Sequence, residues 1–424
     1  MLLGWSLALC AQRTGVREEV RADWNKCSGL DCVYDLSPKA ATKAPKGYEP
    51  VYISHYGRHG SRYAYTAKAY TVPLDMLREG QAQGNLTDYG KDLLQQLEAF
   101  WKAHEYQVGD LTPLGWAQHR QIAEKMVESY PKAFGKGSRV DACSSASVRS
   151  IISMSSCCAA LSRKAPKTAI YAHQGDLDIQ ATRPNLGKNP FRYTGPDNIY
   201  PYGESPSDYF LRIMPRYKDV LGRLFTDPAA GLGSRDPFDV FFHLYMLVGG
   251  MNSLPAEERL DLKGLFSVEE YATLWEMDNL ERFREYYKYR TSCSSIIDDI
   301  IAKADKRLSE GSRGADLRFG HDHVVMALLM IMDLDDFGHV PAKPDDLPLW
   351  FQTFRSPMAA NIQLVFYTPK GKKEGDTLVK VLLNGEEARL GKLPAVSGPY
   401  YKWDDVRPYL NGRTSLFVTR EKIK

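Results

Sequence analysis

The sequence lacks the features that mark membrane, nucleic-acid-binding and metal-dependent proteins. After its first residues, no run comes near the roughly 18 apolar residues that a spanning helix needs. The net charge of +3 is too small to indicate nucleic acid as a partner. No Cys/His spacing is typical of zinc, and no carboxylate cluster indicates magnesium. We therefore expect no metal, no cofactor, no nucleic-acid partner and no transmembrane segment.

The composition is that of a globular protein: the chain has 424 residues, of which 43% are hydrophobic and 25% are charged. Seven cysteines do not decide the redox environment. Cys27 and Cys32 are close enough along the chain for one local disulfide, in a segment rich in turn-forming residues. The sequence does not indicate an oligomeric state.

The first residues, MLLGWSLALCAQ, form a short apolar stretch followed by small residues. This pattern is similar to the end of a secretory signal, although it has no basic start. We expect residues 1–24 to be a leader and an N-terminal tail. The protein would then be exported, to the periplasm, the surface or the medium.

The rest of the chain alternates between strand and helix patterns, which favours an α/β sheet flanked by helices. From about residue 165 the pattern changes: a loop-rich stretch is followed by largely helical segments, and strands return near residue 315. We therefore predict an α/β core from residues 25–164 and 306–424, interrupted by a mainly helical cap domain at 165–305.

One strand pattern ends in an unusual group of charges. In VYISHYGRHGSR an apolar run stops at a glycine and then presents Arg58, His59 and Arg62. Like charges repel, and the nearest carboxylates along the chain, Glu49 and Asp75, are distant. The sequence therefore predicts that a bound anion holds this group together.

Two other strand ends carry polar groups. Gly320 is followed by His321, Asp322 and His323, and Arg149 lies at the start of a helix that follows a third strand. Ligands of α/β sheets bind beyond the carboxyl ends of strands, and a helix N-terminus favours an anion. We expect these three strand ends to meet around one cleft.

This set of residues suits a phosphomonoester. A phosphate dianion needs multidentate donors, which arginine supplies better than lysine. A neutral imidazole can attack phosphorus and form a phosphohistidine, and a positioned acid protonates the departing alkoxide. Arginine, histidine and aspartate meet each need without a metal.

Four motifs in order, RHGSRY, LTPLGWAQ, Arg149 and LRFGHDH, resemble the histidine phosphatase superfamily. Within it they are similar to the acid phosphatase and phytase branch, and most of all to multiple inositol-polyphosphate phosphatases. The resemblance implies a phosphoglycerate-mutase-like sheet with an inserted helical domain, and inositol polyphosphates such as phytate as substrates. It also implies roles: His59 is the nucleophile, and Arg58, Arg62, Arg149 and His321 form the phosphate pocket.

The sequence departs from that branch at two places. Ala64 stands where a proline is expected, which changes the stiffness of the loop more than its chemistry. The late motif fits two forms: in one Asp322 is the proton donor, and in the other His323 occupies the position of the acid. We favour Asp322, because a protonated carboxyl is the donor in both forms, and keep His323 as a further substrate-binding residue.

The remaining substrate contacts are expected from the loop-rich stretch after residue 180, which holds Arg183, Lys188 and Arg192. We favour Arg183, since Pro184 restricts the backbone after it. Two alternatives stay open: a broad acid phosphatase acting on sugar phosphates or phosphoglycerates, and an inositol-phosphate binding protein that has lost its acid.

Overall fold

The computed structural model describes residues 15–37, 39–184, 191–194, 200–372 and 375–422. Extended segments alternate with helices through this part of the chain, as the sequence pattern predicted. The strands are β1 (Tyr48–Arg58), β2 (Arg139–Ser144), β3 (Ala169–His173), β4 (Phe191–Thr194), β5 (Gly314–Gly320), β6 (Asn361–Pro369), β7 (Leu378–Leu383), β8 (Glu386–Ala388), β9 (Tyr400–Lys402) and β10 (Thr419–Lys422).

In the described part of the chain, eight strands form a central sheet in the order β3-β2-β5-β1-β6-β7-β8, with β9 also paired to β7. Strands β3, β2, β5 and β1 run parallel, whereas β6, β7 and β8 are antiparallel to their neighbours. The parallel half brings the carboxyl ends of β1, β2 and β5 to one edge of the sheet. This is the edge at which ligands of α/β sheets bind.

Helices connect most of these strands, and a series of helices lies between β4 and β5. They are α1 (Val16–Ala22), α2 (Trp24–Cys27), α3 (Lys68–Ala82), α4 (Asp88–His104), α5 (Pro113–Ser129), α6 (Val148–Lys164), α7 (Asp176–Thr182), α8 (Pro206–Ile213), α9 (Tyr217–Leu224), α10 (Pro228–Leu232), α11 (Pro237–Gly250), α12 (Val268–Tyr286), α13 (Tyr289–Ser309), α14 (Asp322–Met332) and α15 (Trp403–Ser415).

Local sequence signals explain several boundaries. Thr112 caps α5 by accepting a hydrogen bond from the Gly115 amide, and Pro113 is the first helical residue. The hairpin between β7 and β8 turns at Asn384 and Gly385, with φ of 54° and 83°. α8 and α9 are separate helices, because Pro215 between them cannot donate a helical hydrogen bond.

The sheet is covered on both faces. Tyr52 and Tyr56 of β1 pack with α13 and α14, while Ile53 belongs to a second core that contains α5 and α6. This alternation is the period-two pattern of a strand that is buried on both sides. A third core joins α3 and α4 to the helices that precede β5.

The N-terminal region contributes ordered structure to this assembly. Residues 1–14 of the predicted leader lie outside the described residues, but Val20 of α1 is fully buried and Arg17 pairs with Glu276 at 2.8 Å. The local disulfide that the spacing of Cys27 and Cys32 allows is not formed: both are free thiols, each directed at a backbone carbonyl. The boundaries of the core and cap domains stay a prediction.

No helix in the described ranges has both the length and the apolar character required to cross a membrane.

Candidate active site

The loop after β1 is held from both sides. The amide of Arg58 donates to the carbonyl of Ala360 at 2.7 Å, and the amide of His59 donates to the carbonyl of Gly320 at 3.0 Å. These two bonds fix the loop against the ends of β6 and β5. The Gly60 amide donates to Ser153 Oγ at 3.1 Å, which adds a contact to α6.

Gly60 is needed where this loop crosses the start of α5. A Cβ atom there would lie 2.5 Å from the carbonyl oxygen of Gly115, a backbone atom that cannot swing aside. Thr112 holds the loop at the start of α5, because its amide and its hydroxyl both donate hydrogen bonds to the carbonyl of Ser61. The glycine of the RHGSR motif is therefore required by backbone packing, whereas its arginines and histidine supply the charged and reactive groups.

The residues predicted at three strand ends do converge. The imidazole rings of His59 and His321 meet edge-on with centroids 5.6 Å apart. Burial, followed by the positive charges of Arg149 and Arg58, holds the pKa of His59 well below its usual value. Arg149 lies in the first turn of α6, after β2, whereas His59 follows β1. The two residues are nevertheless close enough for the charge of Arg149 to lower the pKa of His59.

Arg58 and Arg62 have carboxylate partners that the local sequence did not show. Arg58 is fully buried, and its Nη2 donates to Asp322 Oδ2 at 3.1 Å. Arg62 Nη2 lies 3.7 Å from Asp31 Oδ1. The expectation that these arginines lack carboxylates was therefore wrong, because residues distant along the chain supply them.

These partners leave part of each guanidinium free. Within the described ranges, the buried Nε atoms of Arg58, Arg62, Arg149 and Arg183 have no hydrogen-bond partner. Burial and the neighbouring arginine Arg62 lower the pKa of Arg149 to about 10. Unpaired buried N–H groups and repelling charges both cost free energy, and a bound oxyanion would relieve both.

The imidazole ring of His59 is neutral, and one of its nitrogens keeps a lone pair. Its Nδ1 lies 2.9 Å from the carbonyl oxygen of Gly60, which accepts but cannot donate a hydrogen bond. The proton of the neutral ring therefore resides on Nδ1, and Nε2 keeps its lone pair. Because the pKa of His59 is depressed by burial and by Arg149, this lone pair stays available in mildly acidic solution.

His321 occupies the cap position of α14, so it lies at the N-terminus of that helix. Its Nε2 lies 2.9 Å from Ser145 Oγ and 3.4 Å from Ser147 Oγ. Burial and the charges of His323 and Arg183 hold its pKa well below the usual value. His321 is thus a neutral group, tied by hydrogen bonds to the loop that leads into Arg149.

Asp322 is a carboxylate in this structure. Although burial alone would raise its pKa, the Arg58 charge and hydrogen bonding to His323 hold that pKa well below the usual value. Its Oδ1 accepts the His323 amide at 2.8 Å, and its position in the first turn of α14 also favours the ionised form.

His323 lies beside both groups. Its ring stacks on that of His321 with centroids 5.5 Å apart, and its Nδ1 is 3.5 Å from Asp322 Oδ1. Its Nε2 is buried without a hydrogen-bond partner in the described ranges. The rings of Tyr286 and Tyr289 cover it at 5.9 Å and 5.0 Å.

Arg183 also reaches the pocket. It follows α7, where Tyr56 Oη of β1 donates to the carbonyl of Thr182 at 2.6 Å. Its charge lowers the pKa of both His321 and Arg149. Of the two other basic residues considered in that stretch, Lys188 lies outside the described residues and Arg192 lies in β4.

The structure adds residues that sequence reasoning missed, namely Asp31, Ser145 and Ser147. The two serines were visible as a serine-rich turn after β2, directly before Arg149. Asp31 precedes the first strand, in a short turn with no motif of its own, and only the folded chain brings it to Arg62. Among the described residues, no three His, Cys, Asp or Glu side chains are grouped to hold a metal.

No protein-family model and no curated protein matches the sequence. The Bifidobacterium longum multiple inositol polyphosphate phosphatase, in complex with inositol hexasulfate, matches the structure with a TM-score of 0.69. The match covers 91% of this chain and 97% of that chain at 18% identity.

Two phytases match as well. The D. castellii phytase has a TM-score of 0.65 at 15% identity, covering 92% of this chain and 85% of that one. The Hafnia alvei phytase has a TM-score of 0.52 at 10% identity, with 88% and 98% covered. This chain has the histidine acid phosphatase fold.

In the histidine acid phosphatase fold of this protein, the central sheet and its flanking helices place the ends of β1, β2 and β5 together. The fold therefore agrees with the one that the four sequence motifs implied. At these identities the matches show the fold, and the roles of individual residues rest on the geometry of this chain.

Proposed function

We propose that this protein is a phosphomonoesterase that hydrolyses inositol polyphosphates such as phytate, without a metal, through a phosphohistidine at His59. The observation that carries the proposal is a set of buried Nε atoms without a hydrogen-bond partner in the described part of the chain. Those of Arg58, Arg62 and Arg149 lie near the neutral imidazole of His59, and that of Arg183 lies near His321. Guanidinium groups match the oxygens of a phosphate dianion, and the imidazole supplies the nucleophile.

In the first step, Nε2 of His59 attacks phosphorus, a P–N bond forms and the P–O bond to the inositol breaks. Arg58, Arg62, Arg149 and His321 hold the phosphoryl oxygens, and charge that spreads over them is stabilised by fixed donors. Arg183 and His323 contact the rest of the substrate. We propose these roles from proximity and charge.

The departing oxygen needs a proton, which we assign to Asp322. In the free protein Arg58 keeps this carboxyl ionised. A bound phosphate dianion competes with Asp322 for the Arg58 guanidinium and adds negative charge near the carboxyl. Both effects raise the affinity of Asp322 for a proton. In the second step the Asp322 carboxylate takes a proton from water, which attacks phosphorus, breaks the P–N bond and regenerates His59.

The test is release of phosphate from phytate with and without a chelator. We expect release by the native protein in both conditions and loss of release, by at least 10³-fold, in His59→Ala. The matched control is His173→Ala, since His173 is exposed at the end of β3 and should not affect the rate. Loss of activity with chelator would overturn the metal-independent part of the proposal.

The ionised state of Asp322 favours one rival, a protein that binds inositol phosphates without cleaving them. Binding of phosphate by the native protein with no release from phytate or from any sugar phosphate would support that rival. Release from sugar phosphates alone would support a broad acid phosphatase.

We also propose that the protein is exported, on the basis of its N-terminal sequence. Determining the N-terminal residues of the mature protein would test this proposal.

A further inference from the structure

One buried hydroxyl group joins three of the elements that surround the pocket. Tyr56 lies in β1, two residues before Arg58, and its side chain is buried. Its Oη donates a hydrogen bond to the carbonyl of Thr182, the last residue of α7, at 2.6 Å. The same oxygen accepts a hydrogen bond from the amide of His321 at 3.3 Å. The hydroxyl therefore connects the strand of the RHGSR loop with the residue before Arg183 and with the N-terminus of α14.

A glycine lets these segments approach one another. A Cβ atom at Gly320, the last residue of β5, would overlap Tyr56 Oη and lie 2.5 Å from the carbonyl oxygen of Thr182. The carbonyl of Gly320 accepts hydrogen bonds from the amide of His59 at 3.0 Å and from Ser150 Oγ at 3.3 Å. A side chain at this position would separate the segments, so the glycine of the LRFGHDH motif is required by packing.

The hydrogen bond from Tyr56 fixes the end of α7. The last four carbonyls of a helix have no partner within that helix, and Thr182 is fully buried, so water does not supply one readily. A buried carbonyl without a hydrogen bond is unfavourable. Burial raises the pKa of Tyr56 well above its usual value, so the phenol keeps the proton that it donates to this carbonyl.

Arg183 follows the fixed end of this helix directly. Its amide donates to the carbonyl of Ile179 at 2.6 Å, which extends the helical hydrogen bonds one residue past α7. Its Nε is buried and has no hydrogen-bond partner in the described part of the chain. Its positive charge lowers the pKa of both His321 and Arg149, which places its guanidinium beside the pocket. The backbone that Tyr56 holds therefore directs this guanidinium.

His321 depends less on the hydroxyl than Arg183 does. Its Nε2 lies 2.9 Å from Ser145 Oγ and 3.4 Å from Ser147 Oγ, so its ring has contacts of its own. The bond from its amide is also the longer of the two bonds that Tyr56 Oη makes. Loss of the hydroxyl should therefore move Arg183 more than His321.

We propose that Tyr56 is a positioning residue that holds Arg183 beside the phosphate pocket, and that it thereby sets the preference for substrates with more than one phosphate. The inference rests on the proposed function in one respect, because Arg183 is taken to contact the substrate outside the pocket. With Oη in place, the end of α7 lies against β5 and the guanidinium faces a second phosphate group. Without Oη, the Thr182 carbonyl loses this partner and Arg183 moves away.

The binding test compares inorganic sulfate with inositol hexasulfate by isothermal titration calorimetry. Sulfate occupies the proposed phosphate pocket alone, whereas the hexasulfate also reaches Arg183. In Tyr56→Phe we expect the affinity for inositol hexasulfate to fall about tenfold, as for one weakened hydrogen bond to a charged group. The affinity for sulfate should fall by less than about twofold. An equal fall for both ligands, or no fall for either, would overturn the proposal.

Tyr52→Phe is the matched control. Tyr52 lies four residues earlier in β1, is fully buried in the same core as Tyr56, and donates from its Oη to Asp316 Oδ2 at 2.7 Å. The control removes the same atom from the same face of the strand, away from the carboxyl end. Its ratio of hexasulfate to sulfate affinity should equal the native ratio. A fall of the same size would assign the effect to general loosening of the sheet and would contradict the role of Tyr56.

Thermal unfolding of the two variants separates binding from stability. Tyr52→Phe and Tyr56→Phe each lose one buried hydrogen bond, so both should unfold at a similar, slightly lower temperature than the native protein. Failure of Tyr56→Phe to fold while Tyr52→Phe folds would show that the hydroxyl maintains the fold as a whole, and would overturn its assignment to Arg183.

A double substitution tests whether the hydroxyl acts through Arg183. In an Arg183→Ala background, Tyr56→Phe should cause no further loss of hexasulfate affinity, because the guanidinium that it positions is gone. Additive losses would contradict the proposal. In turnover, Tyr56→Phe should raise KM for phytate about tenfold with a smaller change in kcat, whereas a fall in kcat with native KM would place the effect at the reacting phosphate instead.

Failure of this inference and failure of the proposed function have different signatures, since binding of the two sulfates does not depend on turnover. A protein that releases no phosphate but loses hexasulfate affinity in Tyr56→Phe would retain the positioning role and lose the phosphatase. A protein that hydrolyses phytate but keeps the native ratio of affinities in Tyr56→Phe would retain the function and lose the positioning role.

Discussion

Arg58 and Asp322 lie 264 positions apart in the sequence and form an ion pair in which Nη2 is 3.1 Å from Oδ2. The pair joins the end of β1 to the first turn of α14. It also holds Asp322 in the ionised form in the free protein. In the proposed reaction, anion binding and proton uptake at Asp322 are therefore coupled through one guanidinium group.

The first prediction concerns the proton donor. Asp322→Asn should slow single-turnover cleavage of phytate by about 10²- to 10³-fold, because its alkoxide leaving group needs a proton. Cleavage of p-nitrophenyl phosphate should fall far less, since a phenolate departs without one. His323→Ala should reduce both rates by a similar small factor. A larger, leaving-group-dependent loss in His323→Ala would make His323 the donor instead.

The second prediction concerns Arg149. Arg149→Ala should weaken phosphate binding about 10- to 100-fold, because a buried guanidinium donor is lost. In the absence of phosphate the same variant should be more stable than the native protein, since burial and Arg62 lower the pKa of Arg149 to about 10 and its charge is therefore unfavourable in the folded state. Thermal unfolding with and without phosphate measures both effects.

Arg163 provides the control on the same helix. It is exposed near the end of α6 and pairs with Glu124 at 2.9 Å. Arg163→Ala should change neither phosphate affinity nor stability by much, as expected for a surface ion pair. Equal effects of the two substitutions would show that Arg149 has no special place in the pocket.

The third prediction concerns the backbone of the RHGSR loop. Gly60→Ala places a Cβ atom 2.5 Å from the Gly115 carbonyl oxygen, so the loop or α5 must move. We expect a loss of about 2 kcal/mol in unfolding free energy and a fall in kcat. Gly412→Ala, in α15, meets no atom within 4 Å and should instead stabilise the helix slightly. Native kcat in Gly60→Ala would contradict the close packing described here.

The fourth prediction is loss of stability in acid. The buried rings of His55 and His119 both contact Phe319, and burial lowers the pKa of each to about 3. The unfolded chain takes up these protons near pH 6.5, so the native state loses about 1.4 kcal/mol per pH unit for each histidine between pH 6.5 and pH 3. This contribution is fully present above pH 6.5.

Denaturant unfolding at pH 7 and pH 4.5 measures that loss. In His119→Phe or His55→Phe, the difference in unfolding free energy between the two pH values should shrink, whatever the absolute stability of the variant. An unchanged difference in both variants would mean that other groups cause the acid sensitivity.

Much of this arrangement could be predicted from the sequence because it depends on local patterns. Strand endings, the Thr112 cap and the Asn384–Gly385 turn each follow from a few neighbouring residues. The meeting of Arg58, Arg149 and His321 follows from one topological rule about the carboxyl ends of parallel strands.

What could not be predicted depends on long-range packing. Asp31 reaches Arg62 only because Gly29 allows its turn to lie against α11. The burial of His55 depends on α5 covering that face of the sheet. No local pattern encodes these contacts.

The measurement that tests the central claim most directly is chemical trapping of the intermediate. Native protein mixed with phytate carrying radioactive phosphate and quenched within milliseconds should hold label that is stable in alkali, labile in acid and located on the peptide containing His59. Label on another residue, or rapid phosphate release with no label on the protein, would contradict nucleophilic attack by His59 within a cradle of arginines.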